Sequence, residues 1–66
     1  MQISLNGEAR QVTEGSTVAD LLRDLELEGA RVAVERNQRI VPTPARGAEQ
    51  LAEGDRLEIV TFVGGG

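Results

Sequence analysis

The sequence predicts an α+β domain in which one helix packs against a mixed sheet of about five strands, in the order β-β-α-β-β-β. Three observations carry this prediction: period-two alternation near both ends of the chain, one stretch of helical periodicity between them, and a length of only 66 residues. A chain this short buries about 60% of the surface that its unfolded form exposes. One helix on one sheet is the economical way to bury a single leucine face in so small a core.

The first two strands are predicted from alternation and a turn signal. The stretch Met1 to Leu5 alternates apolar and polar residues, as a half-buried strand does. Asn6-Gly7 then indicates a hairpin with a type I′ turn, because both central residues of that turn need positive φ. Residues 8–13 return as the second strand.

The helix is predicted to begin at Ser16 or Thr17, either of which can cap it, and Asp20 completes a capping box with Thr17. Gly29 is predicted to end it. The apolar residues between these signals recur at i, i+3, i+4 and i+7, which forms one buried face: Val18, Leu21, Leu22 and Leu25.

Three short strands complete the prediction. Residues 31–35 and 40–41 are the third and fourth strands, joined by a tight turn. Residues 45–52 form a connector with one helical turn around Leu51, and residues 56–63 form the last strand.

The alternation of the last strand also predicts a partner-binding surface. Leu57 and Ile59 have the parity of the core, which turns Val60 and Phe62 to the other face of the sheet. Exposed apolar residues on so small a protein are typical of a docking site. The alternative is that Phe62 folds back onto its own domain, since single exposed apolar residues are ordinary.

Composition excludes several classes of function. The net charge is −4, all seven basic residues are arginines, and Phe62 is the one aromatic residue, so neither a basic patch nor a stacking platform favours nucleic acid. The acidic balance suits a basic partner protein, or simply solubility. Because cysteine and histidine are missing, we expect no metal site and no thiol chemistry. The N-terminus resembles no signal peptide and no stretch is long enough to span a bilayer, so we expect a cytoplasmic protein.

The chain ends in three glycines, Gly64, Gly65 and Gly66, which we expect to form a flexible tail on a domain of residues 1–63. The usual nucleophiles and bases are nearly all missing from the chain, so we expect it to be no enzyme. The reacting group that remains is the carboxyl of Gly66, which is ionised at neutral pH and becomes electrophilic only if a partner activates it. On these grounds alone a reactive tail and an inert one stay equally open.

The sequence resembles the thiamine-biosynthesis sulfur carrier proteins, which are small β-grasp, ubiquitin-like proteins. The similarity spans the chain through "MQISLNGEARQV", "TVADLLRDL", "RVAVERNQRIVP", "EGDRLEIV" and the terminal "VGGG". The resemblance implies a β-grasp fold and a terminal diglycine, Gly65-Gly66, whose Gly66 carboxyl reacts. This chain departs from the pattern by one further glycine, Gly64.

The resemblance also implies partners. An adenylating enzyme related to the ubiquitin activators uses ATP to activate the terminal glycine, and sulfur that originates from a cysteine desulfurase converts the carboxylate to a thiocarboxylate. Thiazole synthase then takes the sulfur to build the thiazole ring of thiamine. The chain itself is expected to bind no cofactor and to act as a co-substrate.

Three alternatives share the fold. The small subunit of molybdopterin synthase delivers sulfur to a pterin from the same kind of terminal diglycine. A ubiquitin-like modifier joins its terminal glycine to a target lysine. A non-covalent β-grasp interaction module carries an inert tail.

Overall fold

A computed structural model describes residues 1–62. Its elements follow the predicted order, with one additional short helix in the connector. The strands and helices are β1 (Gln2–Leu5), β2 (Glu8–Gln11), α1 (Val18–Asp24), β3 (Val32–Arg36), β4 (Arg39–Ile40), the 3₁₀ helix η1 (Thr43–Ala45) and β5 (Arg56–Thr61).

The five strands form one mixed sheet in the order β2-β1-β5-β3-β4. Strand β5 lies in the centre, parallel to β1 and antiparallel to β3. The predicted hairpin between β1 and β2 is confirmed, with Asn6 at φ 50° and Gly7 at φ 86°. The helix covers one face of the sheet, and the core between them contains the following buried residues: Ile3, Val18, Leu21, Leu22, Val32, Val34, Val41, Leu51, Leu57 and Ile59.

The connector between β4 and β5 satisfies the first N–H groups of α1. The predicted capping box is confirmed, since Asp20 N–H donates to Thr17 Oγ1 at 3.1 Å and Thr17 N–H donates to Asp20 Oδ2 at 3.0 Å. The first two helix N–H groups, those of Val18 and Ala19, donate to the connector carbonyls of Glu49 and Arg46 at 2.9 and 3.0 Å. These are the donors that a helix start otherwise leaves unsatisfied.

The predicted helical turn around Leu51 is wrong. Leu51 is buried in the core, but its N–H donates to the Ser16 carbonyl at 2.8 Å instead of closing a local turn. The connector's helical turn comes earlier, at Thr43–Ala45. Pro44 is tolerated there because the N–H groups of the first helical residues have no partner within the helix, so the N–H that proline lacks is not needed. The path of the rest of the connector depends on its contacts with α1, which the periodicity of the sequence does not reveal.

The helix also ends earlier than Gly29, because a different cap closes it. Leu27 N–H donates to the Leu22 carbonyl at 2.8 Å and Glu26 N–H to the Arg23 carbonyl at 3.0 Å. This pair of bonds is a Schellman motif with Glu26 in the left-handed region, at φ 61°. Leu27 then packs against the core, which compensates for the unfavourable backbone of Glu26.

The strand boundaries agree with the prediction to within two residues. Strand β4 is Arg39–Ile40 rather than 40–41, because Arg36 pairs directly with Arg39 and leaves a two-residue turn. Strand β5 ends at Thr61. The predicted tail, and the boundary at residue 63, lie outside the described residues.

The buried carboxylate of Asp55 joins three segments. Asp55 Oδ2 accepts from Ala52 N–H at 2.7 Å and from Arg36 Nε at 2.8 Å, while Oδ1 accepts from Asn37 Nδ2 at 3.1 Å. Arg36 also donates to Glu49 Oε2 at 2.8 Å. Burial alone would raise the pKa of Asp55, but these hydrogen bonds outweigh burial and hold it below its usual value.

We therefore expect stability to depend on pH through Asp55. The unfolded chain takes up a proton at Asp55 near the ordinary aspartate pKa of about 3.9, where the folded protein still keeps the carboxylate charged. The stabilisation is thus complete above that value and is lost as the pH falls through the lower pKa of the folded state. Asp55→Asn should reduce the free energy of unfolding by about 3 kcal/mol at neutral pH, since Arg36 loses a charged partner.

Urea unfolding from about pH 7 down to about pH 2 measures this dependence. Asp55→Asn should flatten the loss of stability at acid pH, whereas Asp24→Asn, at an exposed helix position, should leave the profile close to that of the wild type. Parallel profiles for the wild type and Asp55→Asn would contradict the assignment.

Candidate functional site

The end of β5 is the structural base of the predicted site. Strand β5 runs through the middle of the sheet, and its pairing with β3 extends one residue past Thr61, because Phe62 N–H donates to the Arg31 carbonyl at 3.0 Å. The predicted reacting group, Gly66, and its neighbours Gly64 and Gly65 follow four or fewer residues later and lie outside the described residues. The described structure therefore ends at Phe62, one residue beyond β5 and two residues before the first of these glycines in the sequence.

The side chain of Asn6 holds β5 at the level of Ile59. Asn6 Oδ1 accepts from Ile59 N–H at 2.9 Å, and Asn6 Nδ2 donates to the Ile59 carbonyl at 3.1 Å. Strand β1 itself ends at Leu5, so the amide group continues the hydrogen bonding of β1 along β5 after the backbone of β1 has turned away. Sequence reasoning assigned Asn6 to the turn alone and missed this second role.

The predicted parity of the last strand is confirmed. Leu57 and Ile59 are buried, at 1% and 8% exposure, whereas Val60 and Phe62 are 56% and 57% exposed. Val60 lies opposite Ala33 of β3. That Val60 and Phe62 bind a partner stays a prediction.

An acidic pair lies beside Val60 on the outer face of the sheet. Glu58 of β5 is directly opposite Glu35 of β3, which in turn is opposite Ile40 of β4. Like charges in this arrangement destabilise a sheet, and neither carboxylate takes part in an ion pair within residues 1–62. Ile40 is 65% exposed and adds a third apolar side chain to this face. Sequence reasoning did not place Ile40 on this face, because its position depends on the register of β4 against β3.

A groove opens on the other side of Phe62. It is lined by Phe62, by residues 29–32, which lead into β3, and by Thr43 and Arg46 of the connector. Arg46 Nη2 donates to the Val32 carbonyl at 2.7 Å. Sequence reasoning did not single out Arg46, because its position depends on the path of the connector.

The described part of the chain offers little else for chemistry. Within residues 1–62, no group of three or more acidic side chains is arranged to hold a metal ion. No helix in that range is long and apolar enough to cross a membrane.

Comparison with known proteins identifies the family. The ThiS family model matches residues 3–66. The chain belongs to the ThiS family. The resemblance noted in the sequence is thereby confirmed, and ThiS is the name carried by sulfur carrier proteins of thiamine biosynthesis among the relatives.

Individual relatives agree with this assignment. The sulfur carrier protein ThiS of Escherichia coli is 35% identical over 66 residues, which are 100% of both chains. A thiazole synthase of Paramagnetospirillum magneticum is 44% identical over the whole of this chain, which spans 20% of that longer protein. The crystal structure of the thiamine biosynthesis protein ThiS from Geobacter metallireducens superposes with a TM-score of 0.84 at 33% identity, covering 100% of both chains. The predicted β-grasp fold is confirmed.

The Asn6 bridge can be tested separately from the Asn6-Gly7 turn. Asn6→Gly keeps a residue that accepts positive φ but removes both hydrogen bonds to Ile59. We expect it to lower the free energy of unfolding by about 1–2 kcal/mol and to speed amide exchange at Ile59. Hydrogen exchange followed by NMR measures both effects.

Gln38→Gly is the matched control, because Gln38 also has positive φ, at 70°, in the turn after β3. Gln38 is exposed, so replacing it tests a glycine at positive φ without removing the contacts to Ile59. Equal exchange rates at Ile59 in Asn6→Gly and Gln38→Gly would show that Asn6 does not hold β5.

Proposed function

We propose that this chain is a sulfur carrier whose Gly66 carboxylate is activated by an ATP-dependent enzyme and converted to a thiocarboxylate that donates sulfur for thiazole formation. The observation that carries the proposal is the family match, which extends through residue 66 and therefore includes the terminal glycines. The chain is then a protein co-substrate, and ATP is bound by the partner.

The chemistry follows from the properties of a terminal carboxyl group. The ionised carboxylate is a poor electrophile, with a pKa of about 3.3–3.7 in its ordinary environment. Attack of the carboxylate oxygen on the α-phosphorus of ATP releases pyrophosphate and leaves an acyl-adenylate. A persulfide whose outer sulfur originates from a cysteine desulfurase then displaces AMP and forms an acyl disulfide. A thiol cleaves the S–S bond of that intermediate and forms a disulfide with the inner sulfur of the former persulfide, which releases Gly66 as a thiocarboxylate with one oxygen replaced by sulfur.

The composition of the chain suits such an intermediate. The chain contains no cysteine and no lysine, so it has no thiol or primary side-chain amine to attack its own acyl-adenylate. Glycine has no Cβ, and three extended residues reach about 10 Å beyond the fold. A thread of glycines can therefore enter a narrow channel that side chains would obstruct.

Thiazole synthase is the proposed receiver of the sulfur. A thiazole synthase that contains a segment 44% identical to this whole chain supports the pairing, because a carrier segment within the same polypeptide has a high effective concentration near the synthase. The thiamine assignments of the relatives favour this role over delivery of sulfur to a pterin.

We propose that the activating enzyme binds the outer face of the sheet, through Val60 and Phe62. Phe62→Glu or Val60→Arg should weaken activation while leaving the fold nearly intact, because both side chains are more than half exposed. The measurement is the KM for the carrier in an assay of ATP-dependent AMP formation, together with the thermal midpoint of each variant.

Thr13→Glu provides a control substitution at an exposed position outside this face. We expect it to leave both quantities close to those of the wild type. If Phe62→Glu or Val60→Arg instead unfolds the domain, the residue belongs to the core and the docking role is wrong.

The reacting carboxyl is tested by changing the length of the tail. One residue appended to Gly66 should abolish sulfur transfer without changing thermal stability, because the Gly66 carboxyl becomes a peptide carbonyl that cannot be adenylated. Deleting Gly66 withdraws the carboxylate by about 3.5 Å, although reacting atoms must come within about 3–3.5 Å. That variant still ends in the diglycine Gly64-Gly65, so we expect it to retain part of the sulfur-transfer activity. The variant that lacks both Gly65 and Gly66 should be inactive.

AMP release and intact mass measure the two steps separately. The intact mass of the wild-type chain should show one oxygen replaced by sulfur after the reaction. Full activity of a variant with residues appended to Gly66 would overturn the carrier proposal and favour a non-covalent module, whereas bands of higher mass joined to other proteins would favour a modifier.

A further inference from the structure

Arg46 is a partly buried cation that lacks an acidic partner in the described chain. Its Nη2 donates to the Val32 carbonyl at 2.7 Å, but its Nε is buried and meets no acceptor. No carboxylate within residues 1–62 pairs with it. By contrast, Arg36 is held between Glu49 and Asp55, at 2.8 Å from each.

This difference distinguishes an arginine whose donors bind internal carboxylates from one whose donors are mostly unused within residues 1–62. A guanidinium group has five N–H donors in a planar fork that matches a carboxylate. Arg36 uses its fork on two internal carboxylates, so the domain compensates its charge. Arg46 uses one donor on one neutral carbonyl, which is an unfavourable arrangement for a half-buried charge unless a further acceptor arrives.

The position of Arg46 brings these unused N–H donors close to the proposed site. Val32, whose carbonyl holds the guanidinium, is the register partner of Thr61 on β5. The next residue, Phe62, lines the same groove as Arg46. The guanidinium group therefore lies beside Thr61 and Phe62, the last described residues of the chain.

We propose that this groove binds a carboxylate side chain of the enzyme that activates Gly66, with Arg46 as the cation and Phe62 as an apolar wall. The inference rests on the proposed function and names a second contact for the same partner. Charge complementarity supports an acidic occupant, because the groove is locally basic: the exposed Arg31 lines it together with Arg46, although the chain as a whole has a net charge of −4. A contact of opposite sign to the rest of a surface fixes the orientation of a bound protein.

Kinetics with purified carrier and activating enzyme test the groove. Arg46→Gln should raise the KM for the carrier about tenfold, the loss expected for one charge-assisted contact, and leave kcat unchanged because the tail is intact. Arg46→Lys keeps the charge without the fork and should fall between Arg46→Gln and the wild type. Arg39→Gln is the matched control, since Arg39 is exposed and lines a different groove.

Salt provides a second readout that a merely structural role would not change. The KM of the wild type should rise with ionic strength more steeply than that of Arg46→Gln, because the variant lacks the screened contact. If circular dichroism shows that Arg46→Gln is unfolded, Arg46→Lys is compared with the wild type instead, because both carry the charge and only the wild type has the planar fork. Equal KM values for these two at all salt concentrations would overturn the proposal.

The remaining outcomes distinguish the two proposals. A wild type that is adenylated normally, with an unchanged KM for Arg46→Gln, overturns the groove and leaves the carrier function in place. A lowered KM for Arg46→Gln means that the chain's own terminal carboxylate competes for Arg46, which also overturns the groove as an enzyme contact. A wild type that the enzyme does not adenylate overturns both.

Discussion

The hydrogen bonds of one buried carboxylate, Asp55, determine where the central strand begins. Asp55 contacts the end of β3 through Arg36 and the following turn through Asn37, and it contacts the connector through Ala52. Because β5 starts at the next residue, these contacts set its register against β3. The Asn6 bridge at Ile59 then holds the other half of the strand from the β1 side. The position of β5, which is the last strand before the glycines in the sequence, therefore depends on these two polar contacts, one on each side of the strand.

Elements that depend on local periodicity could be predicted from the sequence. Alternation around Ile3 and around Leu57 predicted strands. Ile3, Leu57 and Ile59 are buried, and Met1 and Leu5 are partly buried against the same core. Thr17 and Asp20 predicted the helix start because a capping box uses only neighbouring residues. The exposure of Val60 followed from the parity of one strand. In each case the physical cause lies within a few residues of the element that it determines.

Features that depend on contacts distant in sequence could not be predicted. Glu26 closes the helix because Leu27 gains a place in the core, and no rule for single residues favours glutamate over Gly29 there. The connector has no periodicity of its own, since its carbonyls serve the start of α1. The Arg46 groove and the arrival of Ile40 beside Glu35 follow from the same long-range packing. The glycines at the end of the chain indicated chemistry, but the surfaces around them needed the fold.

The surface leading toward those glycines changes character along β5. Glu58 lies opposite Glu35, Val60 lies opposite Ala33, and Phe62 lines the groove that holds Arg46. Acidic, apolar and cationic groups therefore follow one another over a few residues, and a pattern of this kind has no symmetry that would let a partner bind in the reverse orientation. Glycine has no side chain through which a partner could recognise an orientation. The asymmetry of the surface along β5 can supply that recognition to a partner that binds there, and the proposed docking of an activating enzyme depends on this surface.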